Sequence, residues 1–117
     1  MSSRKLPNYL RFHRKRIGFS ENEIAFLLGV RNAGQVSRYE HFHQTPNLLT
    51  ALTYHVIFQT SPPALFGGKY QKVEGQVRRR AKRLLRRLES GPSNRSTARK
   101  LAWLRVLAGQ GEETIDL

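Results

Sequence analysis

Apolar residues recur every three or four positions along most of the chain, which is the spacing of helices with one buried face. The first such segment opens at Pro7-Asn8 and stops at Gly18, a residue suited to the positive φ that ends many helices. Ser20 and Glu23 then form a capping-box pair, which marks the start of a second helix. The sequence has no hairpin pattern and no solenoid repeat, and it therefore predicts an all-α fold.

The second and third predicted helices are short and follow one another closely. The second has four residues on its predicted buried face, namely Ile24, Ala25, Leu27 and Leu28. It ends at Gly29-Val30, and a third helix fits residues 33–41. This third helix is predicted to turn Val36 and Tyr39 inward, because residues three apart share one helical face.

Two further helices are predicted from a cap followed by a proline. Thr45 is the expected N-cap of the fourth helix and Pro46 its first residue. The apolar face of that helix is expected to meet the core through Leu48, Leu49, Leu52, Val56 and Ile57. Ser61 and Pro62 repeat the signal for a short fifth helix that ends at Leu65-Phe66.

Beyond residue 66 the pattern predicts an extension of two helices. Gly67-Gly68 is expected to be a hinge-like break, followed by a long helix over residues 70–89. The apolar stripe of this helix has the width of a buried face and consists of Val73, Val77, Ala81, Leu84, Leu85 and Leu88. A last helix, over residues 96–108, is apolar on most sides, and residues 110–117 are expected to be a disordered tail.

Charge is the feature of composition that changes this picture most. The chain has 117 residues, no cysteine and a net charge of +13. The charge is uneven, at +5 for residues 1–66 and +8 for residues 67–117. Such a basic chain favours a polyanionic partner, with nucleic acid as the first candidate and an anionic membrane surface as the second. The lack of cysteine excludes disulfides and thiolate metal sites.

Signals for secretion, membrane insertion, cofactors and catalysis are missing from the sequence. No apolar run has the length of a signal peptide or a membrane span, so a cytoplasmic protein without a membrane partner is expected. His41 and His43 lack a carboxylate or cysteine at metal-ligand spacing, which favours polar surface over a metal site. His13 is expected at the edge of the core and His55 at the surface. No cofactor is implied, and an enzyme is not expected.

Residues 20–40, SENEIAFLLGVRNAGQVSRYE, resemble the helix-turn-helix of Cro and the phage repressors, the XRE family. The resemblance extends over residues 10–66, about half of the chain. The residues that match the family pattern are, in order, Gly18, Ser20, Ala25, Leu28, Gly29, Val30, Val36, Ser37, Arg38, Tyr39, Glu40, Pro46, Leu65 and Phe66. The resemblance implies a lambda-repressor-like domain of five helices over residues 5–66. Residues 69–109 would then be a basic helical extension for dimerisation, phosphate contact or both.

The resemblance also implies a function. The chain would be a transcriptional regulator of bacterial or phage type, associated with the nucleoid in the cytoplasm. It would bind duplex DNA sequence-specifically, most simply as a repressor that sits as a homodimer on an inverted repeat. Ala25 is small enough to let the two helices of the motif cross closely, and Gly29 frees the backbone at their turn.

The recognition helix supplies the candidate base-reading residues, which are Asn32, Ala33, Gly34, Gln35, Ser37 and Arg38. Gln35 is the strongest, because its amide can pair with N6 and N7 of adenine. Arg38 could contact guanine or a phosphate, and Asn32 is favoured as a helix cap. The candidate phosphate contacts are Arg11, Arg31, Arg78, Arg79, Lys82 and Arg86, the last four within the basic stretch 78–87.

Two departures from the family pattern stand beside these matches. The turn over residues 31–35 is one residue longer than the commonest form, which shifts the register of the base contacts by up to one position. Glu21 occupies a position where the family often has a glutamine that touches a phosphate, so that contact is not expected here. The resemblance further implies an ion pair between Arg14 and Glu40 that ties the third helix to the first.

Other interpretations stay open alongside DNA binding. An antitoxin-like module would bind a partner protein through its C-terminal extension, and residues 93–117 would become ordered on that partner. RNA binding is the weakest alternative, because the aromatic residues fall mostly at expected core positions and not on an exposed stacking surface. The basic helix over residues 70–89 could be a solvated face, a phosphate-binding face or a membrane-surface helix.

Overall fold

The computed structural model describes residues 5–92 and 94–110, and these ranges contain helices and no strand, as the sequence predicts. The helices are α1 (Leu10–Ile17), α2 (Glu21–Leu28), α3 (Ala33–Glu40), α4 (Leu48–Phe58), α5 (Pro62–Leu65), α6 (Gly67–Glu89) and α7 (Arg95–Leu107). The chain divides into two compact units, Met1–Gln71 and Lys72–Leu117. Each unit has its own apolar cluster, and each is described by itself.

The predicted helix ends at residues 18–23 are confirmed. Gly18 and Gly29 follow α1 and α2 in the left-handed region, with φ of 101° and 75°, where a residue with a Cβ would be strained. The capping box at the start of α2 is complete. The backbone N–H of Glu23 donates to Ser20 Oγ (3.0 Å), and that of Ser20 donates to Glu23 Oε1 (2.8 Å). Two backbone donors that the helix itself leaves unpaired are thereby satisfied.

The core of the first unit lies where α1, α2, α3 and α4 meet. Its buried members are Leu10, Ile24, Ala25, Val36, Tyr39, Tyr54, Phe58 and Leu65. Val36 and Tyr39 are therefore buried as predicted, and so are Ile24 and Ala25. Leu27 was predicted beside them but is largely exposed, because it lies toward the outer side of α2. Each fully buried aliphatic or aromatic side chain contributes about 1.5–3 kcal/mol to the free energy of folding.

An ion pair inside this unit joins α1 to the last residue of α3, as the resemblance implies. Arg14 Nε and Nη2 donate to the two carboxylate oxygens of Glu40 at 2.6 and 3.1 Å, and Nη1 donates to the carbonyl of Phe19 at 3.0 Å. The side chains are only 11% and 1% exposed. The hydrogen bond to Glu40 raises the pKa of Arg14, against an opposing effect of burial. The buried carboxylate thus has a bidentate cationic partner in place of water.

Three polar side chains, Tyr54, His13 and His55, lie in or beside this core. The Tyr54 hydroxyl is buried without a hydrogen-bond partner among the described residues, and burial raises its pKa. His13 is half-buried against Phe58, with ring centroids 5.7 Å apart, so its predicted place at the core edge is confirmed. Burial and the charge of Arg16 lower its pKa. His55 was predicted at the surface but is half-buried, with Nδ1 2.7 Å from the carbonyl oxygen of Thr60.

Two predictions about α4 are wrong. The N-cap is Asn47, whose Oδ1 accepts from the N–H of Thr50 at 2.9 Å, so Thr45 and Pro46 precede the helix. The buried residues of α4 are Tyr54 and Phe58. The predicted apolar face is instead exposed, at 72% for Leu48, 74% for Leu49, 45% for Leu52 and 63% for Val56, and of its members Ile57 alone packs on the core. The helix is apolar around most of its circumference, and the larger rings of Tyr54 and Phe58 occupy the core.

The predicted break at Gly67-Gly68 is also wrong, because α6 begins at Gly67 and runs through both glycines. The N–H of Gly68 donates to the carbonyl of Leu6 at 2.8 Å. A Cβ on Gly68 would stand 2.5 Å from that same carbonyl oxygen. Glycine is present here because the N-terminal segment packs against the start of α6, and not because the chain bends.

In the second unit, the later part of the α6 stripe packs on α7. Ala81, Leu85, Leu104 and Ala108 are buried, with Leu88 and Leu101 beside them. The rest of the predicted stripe is not covered within the chain, since Val73, Val77 and Leu84 are 54%, 39% and 39% exposed. Asn94 caps α7 by accepting from Thr97 N–H at 2.9 Å. The predicted tail lies outside the described residues except for Gln110, whose N–H donates to the carbonyl of Arg105 at 2.7 Å.

The buried ion pair provides a test of what holds α3 in place. Glu40→Ala leaves the Arg14 guanidinium unpaired in a desolvated site and should lower the stability of the first unit by about 3 kcal/mol or more. Glu89→Ala is the matched control, because its ion pair with Arg105 (3.3 Å) is 44–45% exposed and worth less than about 1 kcal/mol. Native-state hydrogen exchange of the Tyr39 amide measures the first unit and that of the Leu85 amide the second. Equal losses in the two variants would contradict a structural role for Arg14–Glu40.

Candidate nucleic-acid interface

Residues 29–32 connect α2 to α3, and the connection is held at both ends. At the first end, the N–H of Val30 donates to the carbonyl of Ala25 at 3.0 Å. At the second end, Asn32 is the N-cap of α3, and its Oδ1 accepts from the N–H of Gln35 at 3.3 Å. The cap role favoured for Asn32 is therefore confirmed, and the polar side of α3 starts from a defined first turn.

One side of α3 is anchored in the first unit, which leaves the opposite side free. Val36, Tyr39 and Glu40 are buried. The candidate residues occupy the remaining circumference. Among them, Asn32, Gly34 and Arg38 are exposed, whereas Ala33, Gln35 and Ser37 are half-buried. The structure thus brings all six candidate residues together on or at the start of a single helix.

The two strongest candidates are hydrogen-bonded to each other. Arg38 Nη2 donates to Gln35 Oε1 at 2.7 Å. The side-chain amide nitrogen of Gln35 in turn donates to Gln44 Oε1 at 2.9 Å, so the amide is held from both sides. Gln44 lies in the loop after α3 and is not among the residues that the sequence predicts to contact DNA. Its contact joins positions nine residues apart through a turn, and no spacing rule would have indicated it.

Two other candidates on α3 have less to offer a base, because the Ser37 hydroxyl lies close to His41 and Gly34 has no side chain. The Ser37 hydroxyl is 3.2 Å from His41 Nδ1, and the same nitrogen is 2.9 Å from the Ser37 carbonyl oxygen. Gly34 lies beneath polar neighbours, since a Cβ there would stand 3.0 Å from Asn32 Oδ1 and 3.6 Å from an Arg38 guanidinium nitrogen. Gly34 therefore leaves space for the Asn32 cap and the Arg38 side chain, which offers one physical reason for a glycine inside this helix.

The candidate phosphate contacts divide between the two units. Arg11 and Arg31 are exposed in the first unit, the former on α1 and the latter just before α3. The exposed candidates of the second unit, all on α6, are Arg78, Arg79, Lys82 and Arg86. Among these, Arg78 has its Nε 3.6 Å from the place where a Cβ of Gly109 would stand, so part of that side chain covers the end of α7.

Three acidic side chains lie on α2 and α3, and each has a structural role. Glu40 is neutralised by Arg14. Glu21 and Glu23 occupy the first turn of α2, where a negative charge is favourable to the helix dipole. The described residues contain no group of three histidine, aspartate or glutamate side chains that could hold a metal ion. The outward side of α3 therefore offers amide and guanidinium groups with no carboxylate of its own.

Comparisons with known proteins add no assignment. No protein-family model, curated protein or solved structure matches the chain. Among the described residues, no helix has the length and apolar character needed to cross a membrane.

The cap at Asn32 can be tested separately from anything that the residue might contact. Asn32→Ala removes the acceptor for the Gln35 N–H and should lower the stability of the first unit by about 1 kcal/mol. Asn32→Ser keeps a capping oxygen and should stay within about 0.5 kcal/mol of the unaltered protein. Urea denaturation followed by circular dichroism measures both. A serine variant as unstable as the alanine variant would show that something other than the cap makes Asn32 important.

Proposed function

We propose that this chain binds duplex DNA sequence-specifically through α3 and acts as a transcriptional regulator, most simply a repressor. One observation carries the proposal: α3 is anchored along one side and presents Gln35 and Arg38, held by hydrogen bonds, on the other. An anchored helix with amide and guanidinium groups on its free side fits the major groove, whose base edges offer matching donors and acceptors.

The chemistry of the two side chains suggests which bases they read. A glutamine amide pairs with adenine through one donor and one acceptor, and an arginine pairs with guanine through two donors. Arg38 uses one donor on Gln35 and has others left, because a guanidinium carries five N–H groups. We therefore propose that Gln35 reads an adenine and that Arg38 reads a neighbouring guanine or holds a phosphate.

The charge of the chain supports the same proposal. A net charge of +13 gives long-range attraction to a phosphate backbone, which supplies affinity without sequence preference. Arg11 and Arg31 are exposed on the unit that contains α3, and they are the phosphate contacts that we propose there. The exposed basic residues of α6 are proposed to add contacts that steepen the dependence of binding on salt.

A homodimer belongs to the proposal, because a two-fold pair of recognition helices would read an inverted repeat. We place the second copy on α4. Leu48, Leu52 and Val56 recur there at intervals of four, so the exposed leucines and valine share one helical face. The stripe on α6 is a weaker candidate than its sequence suggests, because its later half is already covered by α7.

The function is tested by selecting bound duplexes from a random library with the full chain at near-physiological salt. The unaltered protein should enrich an inverted repeat. Gln35→Ala should weaken binding to the best site by about 1–3 kcal/mol and relax preference at one base pair, with little change on random DNA. Equal losses on selected and random DNA would overturn the base-reading role of Gln35. If the unaltered protein enriches no sequence, DNA reading is overturned.

The dimer surface is tested by placing a charge on each apolar face. Leu52→Glu puts a carboxylate in the proposed α4 interface and should weaken dimerisation about tenfold or more, because a buried unpaired charge is unfavourable. Val77→Glu is the matched control on α6 and should leave the dimer unchanged. Sedimentation equilibrium over a range of protein concentrations measures both. The opposite pattern would place the interface on α6, and a monomeric parent protein would contradict the dimer.

A further inference from the structure

We infer that Gln44 is a positioning residue that sets the base preference of Gln35, although it lies outside the recognition helix. This inference rests on the proposed function, since it concerns how the same surface chooses its sequence. The direct observation is the hydrogen bond from the Gln35 amide nitrogen to Gln44 Oε1, at 2.9 Å.

The turn after α3 brings Gln44 back to the helix that it follows. Phe42 has φ of 66°, a left-handed conformation that favours glycine and strains a bulky residue. With the chain reversed there, the N–H groups of His43 and Gln44 both donate to the carbonyl of Arg38, at 2.9 and 3.2 Å. The Gln44 backbone is therefore tied to the last turn of α3, and its side chain extends from a fixed point.

The Gln35 amide uses only part of its hydrogen-bonding capacity on Gln44 and Arg38. A glutamine amide has two N–H donors and an oxygen with two acceptor positions. In Gln35 one donor is used by Gln44 and one acceptor position by Arg38. One donor and one acceptor remain, which is the pair that adenine N7 and N6 require. The two neighbours can thus hold the amide without consuming its capacity to read a base.

Holding the Gln35 amide in place should change the preference for one base over another more than it changes the general affinity for DNA. An unrestrained glutamine side chain samples several rotamers, and ordering a long side chain on binding lowers affinity roughly three- to tenfold. Gln44 lowers this cost because its hydrogen bond already orders the Gln35 side chain in the free protein. Gln44 also opposes a flip of the amide, since a flipped amide would place oxygen against Gln44 Oε1 and nitrogen against Arg38. Adenine is then favoured over bases that need the opposite order of donor and acceptor.

The test compares Gln44→Ala with Thr45→Ala, an exposed neighbour in the same loop. In the free protein, Gln44→Ala should shift the side-chain amide resonances of Gln35 and lower its order parameter, whereas Thr45→Ala should not. On the selected site, Gln44→Ala should weaken binding roughly three- to tenfold and relax the base pair read by Gln35. Affinity for random duplex and the slope of binding against salt should not change.

A double variant separates positioning from direct contact. In a Gln35→Ala background, Gln44→Ala should have no further effect on the selected site, because Gln44 acts through Gln35. A full additional loss there would mean that Gln44 itself touches DNA, and it would overturn the inference. So would an undisturbed Gln35 amide in the free Gln44→Ala protein, or an unchanged base preference. These failures differ from failure of the proposed function, in which the unaltered chain itself selects no sequence.

Discussion

The pairing of Arg14 with Glu40 is the interaction on which the arrangement of the first unit depends. A carboxylate that is 1% exposed has lost its contact with water, and burying a charged group without a close partner is strongly unfavourable. The Arg14 guanidinium satisfies Glu40 through two bonds and uses a third on the carbonyl of Phe19. One side chain of α1 therefore holds the end of α3 and the turn that leads into α2. An apolar pair could bury similar area, but it would not fix the angle of α3 in the same directional way.

Three local interactions then fix the position of α3, one at its start, one along its inner side and one at its end. Asn32 defines its first turn, Val36 and Tyr39 anchor its inner side, and Glu40 fixes its last residue. The strain at Phe42 lies immediately beyond that fixed end. A left-handed non-glycine residue is tolerated where the surroundings determine it on both sides, and here the helix end and the bonds to the Arg38 carbonyl do so. The unfavourable conformation is thus confined to the turn that returns Gln44 to α3.

How much of this the sequence could predict depends on how local each feature is. The capping box and the inward positions of α3 were predictable, because each involves residues three or four apart. The buried face of α4 was not, because an almost wholly apolar helix leaves several faces equally plausible and neighbouring helices decide between them. The break predicted at Gly67-Gly68 was wrong for a related reason. In sequence, a glycine that makes room for the backbone of a distant residue cannot be distinguished from a glycine that bends the chain. The Arg14–Glu40 pair was accessible only through a family resemblance, since 26 residues separate its members.

At the candidate interface, too, the sequence could indicate individual residues but not the hydrogen bonds between them. Residue types along α3 indicated Gln35 and Arg38 as separate readers, yet the structure joins them with Gln44 in one hydrogen-bonded set. Groups that share hydrogen bonds do not act independently, so replacing one member changes the geometry offered by the others. Under the proposed function, the base preference of this surface belongs to the set of three and cannot be divided by residue. The positive charge of the chain would attract any duplex alike, so under the proposed function discrimination between sequences depends on the contacts of Gln35 and Arg38 with bases and on how firmly these side chains are held.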